Sequence, residues 1–215
     1  MDTLLNKQMK KDNMSDNTRI HLLQAHEAAG ELKSIYERAD SAMVDGNLPG
    51  PTLFGNQVRA LAHNPALLQS LLKVYETFAE TQSVDRKLIE LGILVVSRVN
   101  VCNYCIQHHT PLAHDSGLTT EKLASIQNEA WHENQALWDE EEWLVIQYAE
   151  QMTREPYKIQ DSLFESLHTH FNDRQIVDMT MRFALCSAWN KFNDALGLDT
   201  ESAFQHAFSE IMGKS

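Results

Sequence analysis

The chain of 215 residues, 24.5 kDa, is long enough for one well-filled core or at most two small domains. Its 18 Lys and Arg against 30 Asp and Glu leave a net charge of −12, which opposes binding to nucleic acid or to an anionic membrane surface. Three cysteines make no disulfide framework and better suit a working thiol pair in a reducing, cytoplasmic setting.

Residues 1–17 are polar, lack the apolar run of a signal peptide and read as a mobile tail. Residues 18–215 are then expected to form a single domain. No apolar run reaches the length of a membrane span. A first helix is expected from Thr18 to about Met43, with Leu22, Leu23, Ile35, Tyr36 and Ala39 inward and Gly30 as its weak point. Residues 45–51, DGNLPGP, are a loop, and Leu53 and Phe54 look like a packed turn after it. Asn64-Pro65 predicts an N-cap followed by a proline at the first helical position. Ser83 is expected to cap the next helix, whose interior LIELGILVVSRV is apolar nearly all round and therefore central.

A break at Val99-Asn100-Val101 leads into a further helix, which Pro111 should kink or restart. Asp115-Ser116-Gly117 ends it, and Thr119 or Thr120 opens a short one. WHENQALWDEEEW, with three of the four Trp, reads either as an aromatic pocket wall or as a loop leading to a capping box at Asp139 and Glu142. Pro156 interrupts the chain. SLFESLHTHF, a long segment from Asn172 or Asp173 to Gly197, and residues 200–212 complete the helices. Cys186, inside the apolar run MRFALCSAWNKF, is expected to be a buried small hydrophobe with no partner nearby in sequence. Period-two alternation is missing throughout, so the fold class is all-α. The C-x-x-C therefore does not imply a thioredoxin fold.

Residues 90–109, ELGILVVSRVNVCNYCIQHH, carry the chemistry. At about 100° per helical residue, Cys102, Cys105 and His109 fall within an arc of about 60°, while His108 points away. Cys105 and His109 are four apart and neighbours on the helix surface. A helix N-terminus, an adjacent imidazole and a C-x-x-C partner each lower a thiol pKa. The three-residue spacing also lets one sulfur resolve the other into a disulfide. Glu90 is an unexpected charge in an apolar stretch and is placed to orient the imidazole and exchange protons with it. Other readings stay open. The two cysteines and the histidine are a zinc ligand set lacking a fourth member, and Glu90 alternatively pairs with an arginine such as Arg98.

Val84-Asp85-Arg86-Lys87-Leu88-Ile89-Glu90-Leu91, then Cys102-x-x-Cys105-x-x-x-His109 and Ser116-Gly117-Leu118-Thr119, resemble the alkyl hydroperoxidase D-like (AhpD-like), or carboxymuconolactone decarboxylase, superfamily. His63-Asn64-Pro65-Ala66-Leu67-Leu68 resembles the segment preceding its core. The resemblance covers residues 50–125 well. It implies an all-α, AhpD-like fold and assembly into trimers or hexamers. For the peroxidase branch it implies a peroxidatic Cys105, a resolving Cys102, His109 as base and Glu90 as proton relay, with no cofactor and no metal. Tyr104 departs from the best-known peroxidase member, which has histidine there.

The expectation is a thiol-dependent peroxidase acting on alkyl hydroperoxides, with an external dithiol as reductant. A lactone decarboxylase using Glu90 and His109, and a redox-sensing oligomer without turnover, are the alternatives. Phe164, Phe171, Phe183, Trp189, Phe204 and Phe208 are a second reason to expect a homo-oligomer, because one domain of this size is not expected to bury them all.

Overall fold

A computed structural model describes residues 18–36, 55–81 and 83–213. The N-terminal tail, the loop at 45–51 and the turn at Leu53 and Phe54 lie outside the described residues, as does Ala39. No strand occurs among the described residues, and the fold is all-α. Among the described residues, no helix is long and apolar enough to cross a membrane. The described residues divide into two compact units, those from 18 to 80 with 193–201, and those from 81 to 192 with 202–213. The second contains the whole of 90–109.

In the first unit, the helix expected from Thr18 is absent up to residue 30. Residues 18–24 are non-helical, a short 3-10 turn spans Ala25–Glu27, and helix begins only at residue 31. Gly30 sits at φ 57°. That left-handed backbone is open to glycine at little cost, so the residue that weakens the helical pattern is where the chain turns. Leu22, Ile35 and Tyr36 are nonetheless buried, and Tyr36 Oη donates to Leu23 O at 2.8 Å. Helix α1 spans Asn56–Leu61. Helix α2, Pro65–Glu80, starts as expected, with Asn64 Oδ1 accepting from Leu67 N–H at 3.2 Å.

The second unit is built around α3, Arg86–Val99, in which every residue from Leu88 to Ser97 is buried. Its N-cap is Asp85, whose carboxylate accepts from Lys87 N–H at 2.8 Å. Ser83, the expected cap, instead donates its hydroxyl to Asp178. Helix α3 packs chiefly on α4, Asn103–Asp115, and on α6, Glu140–Arg154. Helix α5, Thr120–Gln127, opens at Thr119, which accepts from Lys122 N–H at 3.3 Å.

The tryptophan-rich stretch takes its structural reading. Trp131 and Trp138 are buried in the core, and Asp139 and Glu142 form the reciprocal capping box of α6. Glu142 is fully buried but not unpaired. Lys87 Nζ lies 3.0 Å from it and Lys122 Nζ also reaches it, so α3, α5 and α6 are tied at one buried carboxylate. Helix α7 spans Asp161–His170. Helix α8, Asp173–Leu196, is capped by Asn172, which accepts from Gln175 N–H at 3.1 Å. Helix α9, Ser202–Met212, packs on α4 and α5. Phe171, Phe183 and Phe204 are buried within the chain, which removes half of the apolar supply from which association was argued.

Pro111 neither restarts nor ends α4, which runs through it to Asp115. The proline removes one backbone donor, and the buried residues beside it, Thr110, Leu112 and Ala113, hold the turn in place by packing. Ser116 and Gly117 close the helix, with Gly117 at φ 106°.

The junction between α3 and α4 decides where the cysteines go. Val101 N–H donates to Arg98 O and Cys102 N–H to Ser97 O, at 3.0 and 2.9 Å. This is the paired closure of a Schellman helix end, which normally places glycine at the left-handed position. Here that position is Val101, at φ 60° and 65 % exposed. A side chain in this conformation costs about 1–2 kcal/mol relative to ordinary backbone, and a β-branched one is a marked outlier. Asn100 holds the strained turn by donating to Asn190 Oδ1 at 2.8 Å and to Ser187 Oγ at 3.2 Å, both on α8.

Candidate active site

The turn delivers Cys102 as the N-cap of α4, with no exposed surface, and Cys105 one turn later at 5 % exposure. None of the three cysteines is disulfide-bonded. The Cys102 and Cys105 side chains are hydrogen-bonded to each other, as the C-x-x-C spacing at a helix start predicts.

Glu90 reaches across from α3. Its Oε2 lies 2.7 Å from His109 Nδ1, and only 2 % of the residue is exposed. Arg86 Nε is 3.9 Å from the other oxygen, whereas Arg98 is engaged with Glu129 at 2.9 Å. The arginine pairing suggested for Glu90 is therefore made by Arg86, one turn earlier, and at the longer distance. Donation of Nδ1–H to the carboxylate leaves His109 Nε2 as the proton-accepting nitrogen. The four residues singled out from the sequence thus lie on the two helices that meet at the strained turn.

His108 points elsewhere, as expected. It is buried, with Nδ1 2.8 Å from Tyr104 O. Its ring stands 4.2 Å from that of Tyr104 and 4.2 Å from that of Phe204 on α9. Tyr104, which departs from the best-known peroxidase member, is used here as part of an aromatic stack between α4 and α9.

The structure adds a residue that the spacing argument missed. Cys186 is buried as expected, but it is not an isolated hydrophobe: its thiol lies 3.7 Å from Ile93 O and 3.7 Å from Asn190 Nδ2, and its interaction with Cys105 raises the pKa of that thiol. It comes from α8, 81 positions along the chain, and no spacing rule links the two. The faint sequence signal is polar: Ser97, Ser187 and Asn190 interrupt runs that are otherwise apolar. Ser97 Oγ lies 3.3 Å from Cys186 Sγ, and Asn190 Nδ2 lies 3.4 Å from Ser97 Oγ. Among the described residues, no three His, Cys, Asp or Glu side chains are placed to hold a metal ion.

This third thiol alters the electrostatics. The interaction with Cys102 pulls the Cys105 pKa down, but the interaction with Cys186, together with burial, pushes it well above the ordinary thiol value. Cys105 therefore rests as a neutral thiol, not as the lowered one that its neighbours in sequence predict. The consequence for stability follows by linkage. An unfolded thiol titrates near about 8.5, and the folded one holds its proton above that value. Its contribution is fully present below the unfolded pKa and is lost as pH rises towards and through the folded one. Urea unfolding is expected to show a larger loss between about pH 7.5 and pH 10 in the wild type than in Cys105→Ser. Tyr36 and Tyr148, also raised by burial, contribute equally to both proteins and cancel in the difference.

Fold and site together define an all-α protein with a buried dithiol at a helix start and a carboxylate–imidazole pair beside it. The family model described as the carboxymuconolactone decarboxylase family matches residues 65–139. Over those residues the chain is similar to that family, and its all-α fold is that of AhpD-like proteins. It is 28 % identical over 123 residues to the uncharacterised protein YdfG of Bacillus subtilis, covering 57 % of this chain and 82 % of that one. An uncharacterised peroxidase-related protein from Silicibacter sp. TM1040 shares the fold with a TM-score of 0.72 at 18 % identity, over 90 % of this chain and 97 % of its own. An uncharacterised peroxidase-related protein with an alkylhydroperoxidase AhpD core, from Ralstonia eutropha JMP134, also has a TM-score of 0.72, at 15 % identity, over 93 % and 98 % of the two chains.

Proposed function

We propose that the protein is a thiol-dependent peroxidase that reduces alkyl hydroperoxides with Cys105 as nucleophile. The observation that carries this reading is the part-buried 2.7 Å pair of Glu90 and His109 on the helices that hold the Cys102–Cys105 dithiol. A thiol that rests neutral needs a base, and an imidazole oriented by a carboxylate is one. His109 Nε2 takes the Cys105 proton, directly or through a water, as the peroxide approaches. The sulfur attacks the peroxide oxygen, the O–O bond breaks, and the alcohol leaves with a proton as Cys105 becomes a sulfenic acid. The Cys102 thiol then attacks that sulfur, water leaves and a disulfide forms, which an external dithiol reduces. Oxidation of the peroxidatic sulfur by two electrons is thus balanced by oxidation of one dithiol per peroxide consumed.

The family match over residues 65–139 supports the enzyme class, and the peroxidase-related neighbours support its antioxidant direction. The deciding measurement is consumption of a panel of hydroperoxides with dithiothreitol or a protein dithiol supplied. Turnover with one dithiol oxidised per peroxide is expected, and its absence across the panel would remove the proposal. The family match at residues 65–139 favours one rival, a lactone decarboxylase with Glu90 and His109 as acid and base. Turnover of a carboxylated lactone by the Cys102→Ser/Cys105→Ser protein would select it. Assembly into trimers or pairs of trimers is part of the same proposal and rests on the family resemblance. A light-scattering mass equal to that of one chain would remove it.

A further inference from the structure

Both sulfurs of the dithiol lie below the surface, Cys102 with no exposed area and Cys105 at 5 %. Thiol–disulfide exchange needs an incoming thiolate to reach one of the two sulfurs, and the closed structure presents neither. Immediately before Cys102 stands Val101, left-handed at φ 60° and 65 % exposed. Glycine would close this turn without strain. A buried valine offsets a strained backbone by packing, but a side chain lying mostly in water does so only in small part.

Strain of this kind persists only where the surroundings enforce it, and it gathers at functional sites. Here the enforcement is specific. Asn100 Nδ2 donates to Asn190 Oδ1 at 2.8 Å and to Ser187 Oγ at 3.2 Å. Asn190 is 1 % exposed, and its Nδ2 lies 3.4 Å from Ser97 Oγ. Ser97 O in turn accepts the Cys102 N–H at 2.9 Å. One buried asparagine on α8 therefore holds the turn from both sides.

We propose that residues 99–102 are a gate over Cys102, sprung by Val101 and latched by Asn100 on Asn190. Opening relieves the left-handed conformation, gives the Asn100 amide and the N–H groups of Val101 and Cys102 to water, and swings Cys102 outward with the chain. Cys105 sits one turn into α4 and stays with the helix. The use of the gate rests on the redox reading of the dithiol, but its test does not. In that use, a thiolate of the external dithiol attacks Cys102 in the Cys102–Cys105 disulfide, and the Cys105 sulfur leaves and takes up a proton. The second thiol of the reductant then attacks its own partner sulfur in the mixed disulfide. Cys102 leaves as a thiol, and the reductant departs as a disulfide.

The test measures access to the sulfur without peroxide. Full-length reduced protein is alkylated with N-ethylmaleimide at fixed pH, with the rate first order in reagent, and mapped by peptide over time. Cys102 is expected to react ahead of Cys186, which is also buried and reports global unfolding. A local opening exposes little surface, so the Cys102 rate should hardly change with urea below the unfolding transition, while the Cys186 rate climbs. Val101→Gly relieves the strain in the closed turn and adds some freedom to the open one. It is expected to slow Cys102 alkylation about 5-fold. Asn100→Ala removes both latch hydrogen bonds and is expected to speed it about 5- to 30-fold. A Cys102 rate that rises with urea in step with that of Cys186, or that is equal in Val101→Gly and wild type, overturns the gate. Val101→Gly is expected to be at least as stable as the wild type, so the decision stands even if Asn100→Ala does not fold. A gated Cys102 in a protein that turns over no hydroperoxide leaves the gate standing and removes the peroxidase proposal. Peroxide turnover with an ungated Cys102 does the reverse.

Discussion

Cys105→Ser is expected to abolish hydroperoxide reduction at its first step, with no burst and no dithiol oxidised. A serine hydroxyl offers the base no thiolate to make. Cys102→Ser is expected still to consume the first equivalent of peroxide, because the attacking sulfur and its base remain. The size of the base's contribution is then read from His109→Gln. General-base catalysis is worth about 10²–10⁴-fold, and the Cys105 proton is held more tightly than in an ordinary thiol. A loss in the upper part of that range is expected near neutral pH, with recovery only under strongly alkaline conditions where the thiolate forms unaided. Glu90→Gln should lose less in the same direction. The amide still occupies the site 2.7 Å from Nδ1 but no longer stabilises an imidazolium. A stopped-flow peroxide assay against pH separates the three variants. If Cys105→Ser accepts one equivalent and Cys102→Ser is inert, the roles are reversed, and the helix N-terminus outweighs the imidazole in activating the thiol.

Gly92→Ala is expected to be the most damaging one-carbon change in the core. Gly92 lies in the middle of α3, where alanine normally gains about 1 kcal/mol over glycine. At this position a Cβ would stand 2.0 Å from Phe183 Cζ and 2.3 Å from Phe183 Cε1. Phe183 is 1 % exposed, with Tyr148 packed beside it at 6.3 Å between ring centroids, so the ring has no solvent to move into. Overpacking a core typically costs about 1–3 kcal/mol and occasionally more. The expected net loss is about 3 kcal/mol, at the top of that range, seen as a fall in urea midpoint with unchanged slope. Phe183→Leu should recover part of the loss in the double variant while destabilising the wild-type background, giving a favourable coupling between the two sites. A neutral Gly92→Ala would mean that α3 and α8 do not pack as closely as this contact requires.

Which parts of this protein can be read from the chain alone follows from the range of the forces involved. Helix periodicity, the Asn64-Pro65 start, the Asp139–Glu142 capping box and the glycine at 117 depend on neighbours within about one turn, so the sequence by itself determined them. The arc that places Cys102, Cys105 and His109 together is also local, being fixed by helix geometry. Glu90 stood out because a carboxylate in an apolar run needs a partner, and that partner proved to be His109.

Other features rest on contacts between segments distant in sequence, and only the tertiary structure decided them. The helix expected from Thr18 breaks up around Gly30, Ser83 gives its hydroxyl to Asp178 rather than to a cap, and α4 continues through Pro111 under the packing of its neighbours. Val101 takes a left-handed position that local preference reserves for glycine, with Asn100 beside it bonded to α8. Cys186 acts on the Cys105 pKa from 81 positions away along the chain, which no spacing rule anticipates. Its approach raises the pKa of a thiol that the local features alone would lower. Local sequence set which groups could react, and the packing of α8 against α3, which brings Cys186 into the core, bears on the protonation state in which they wait.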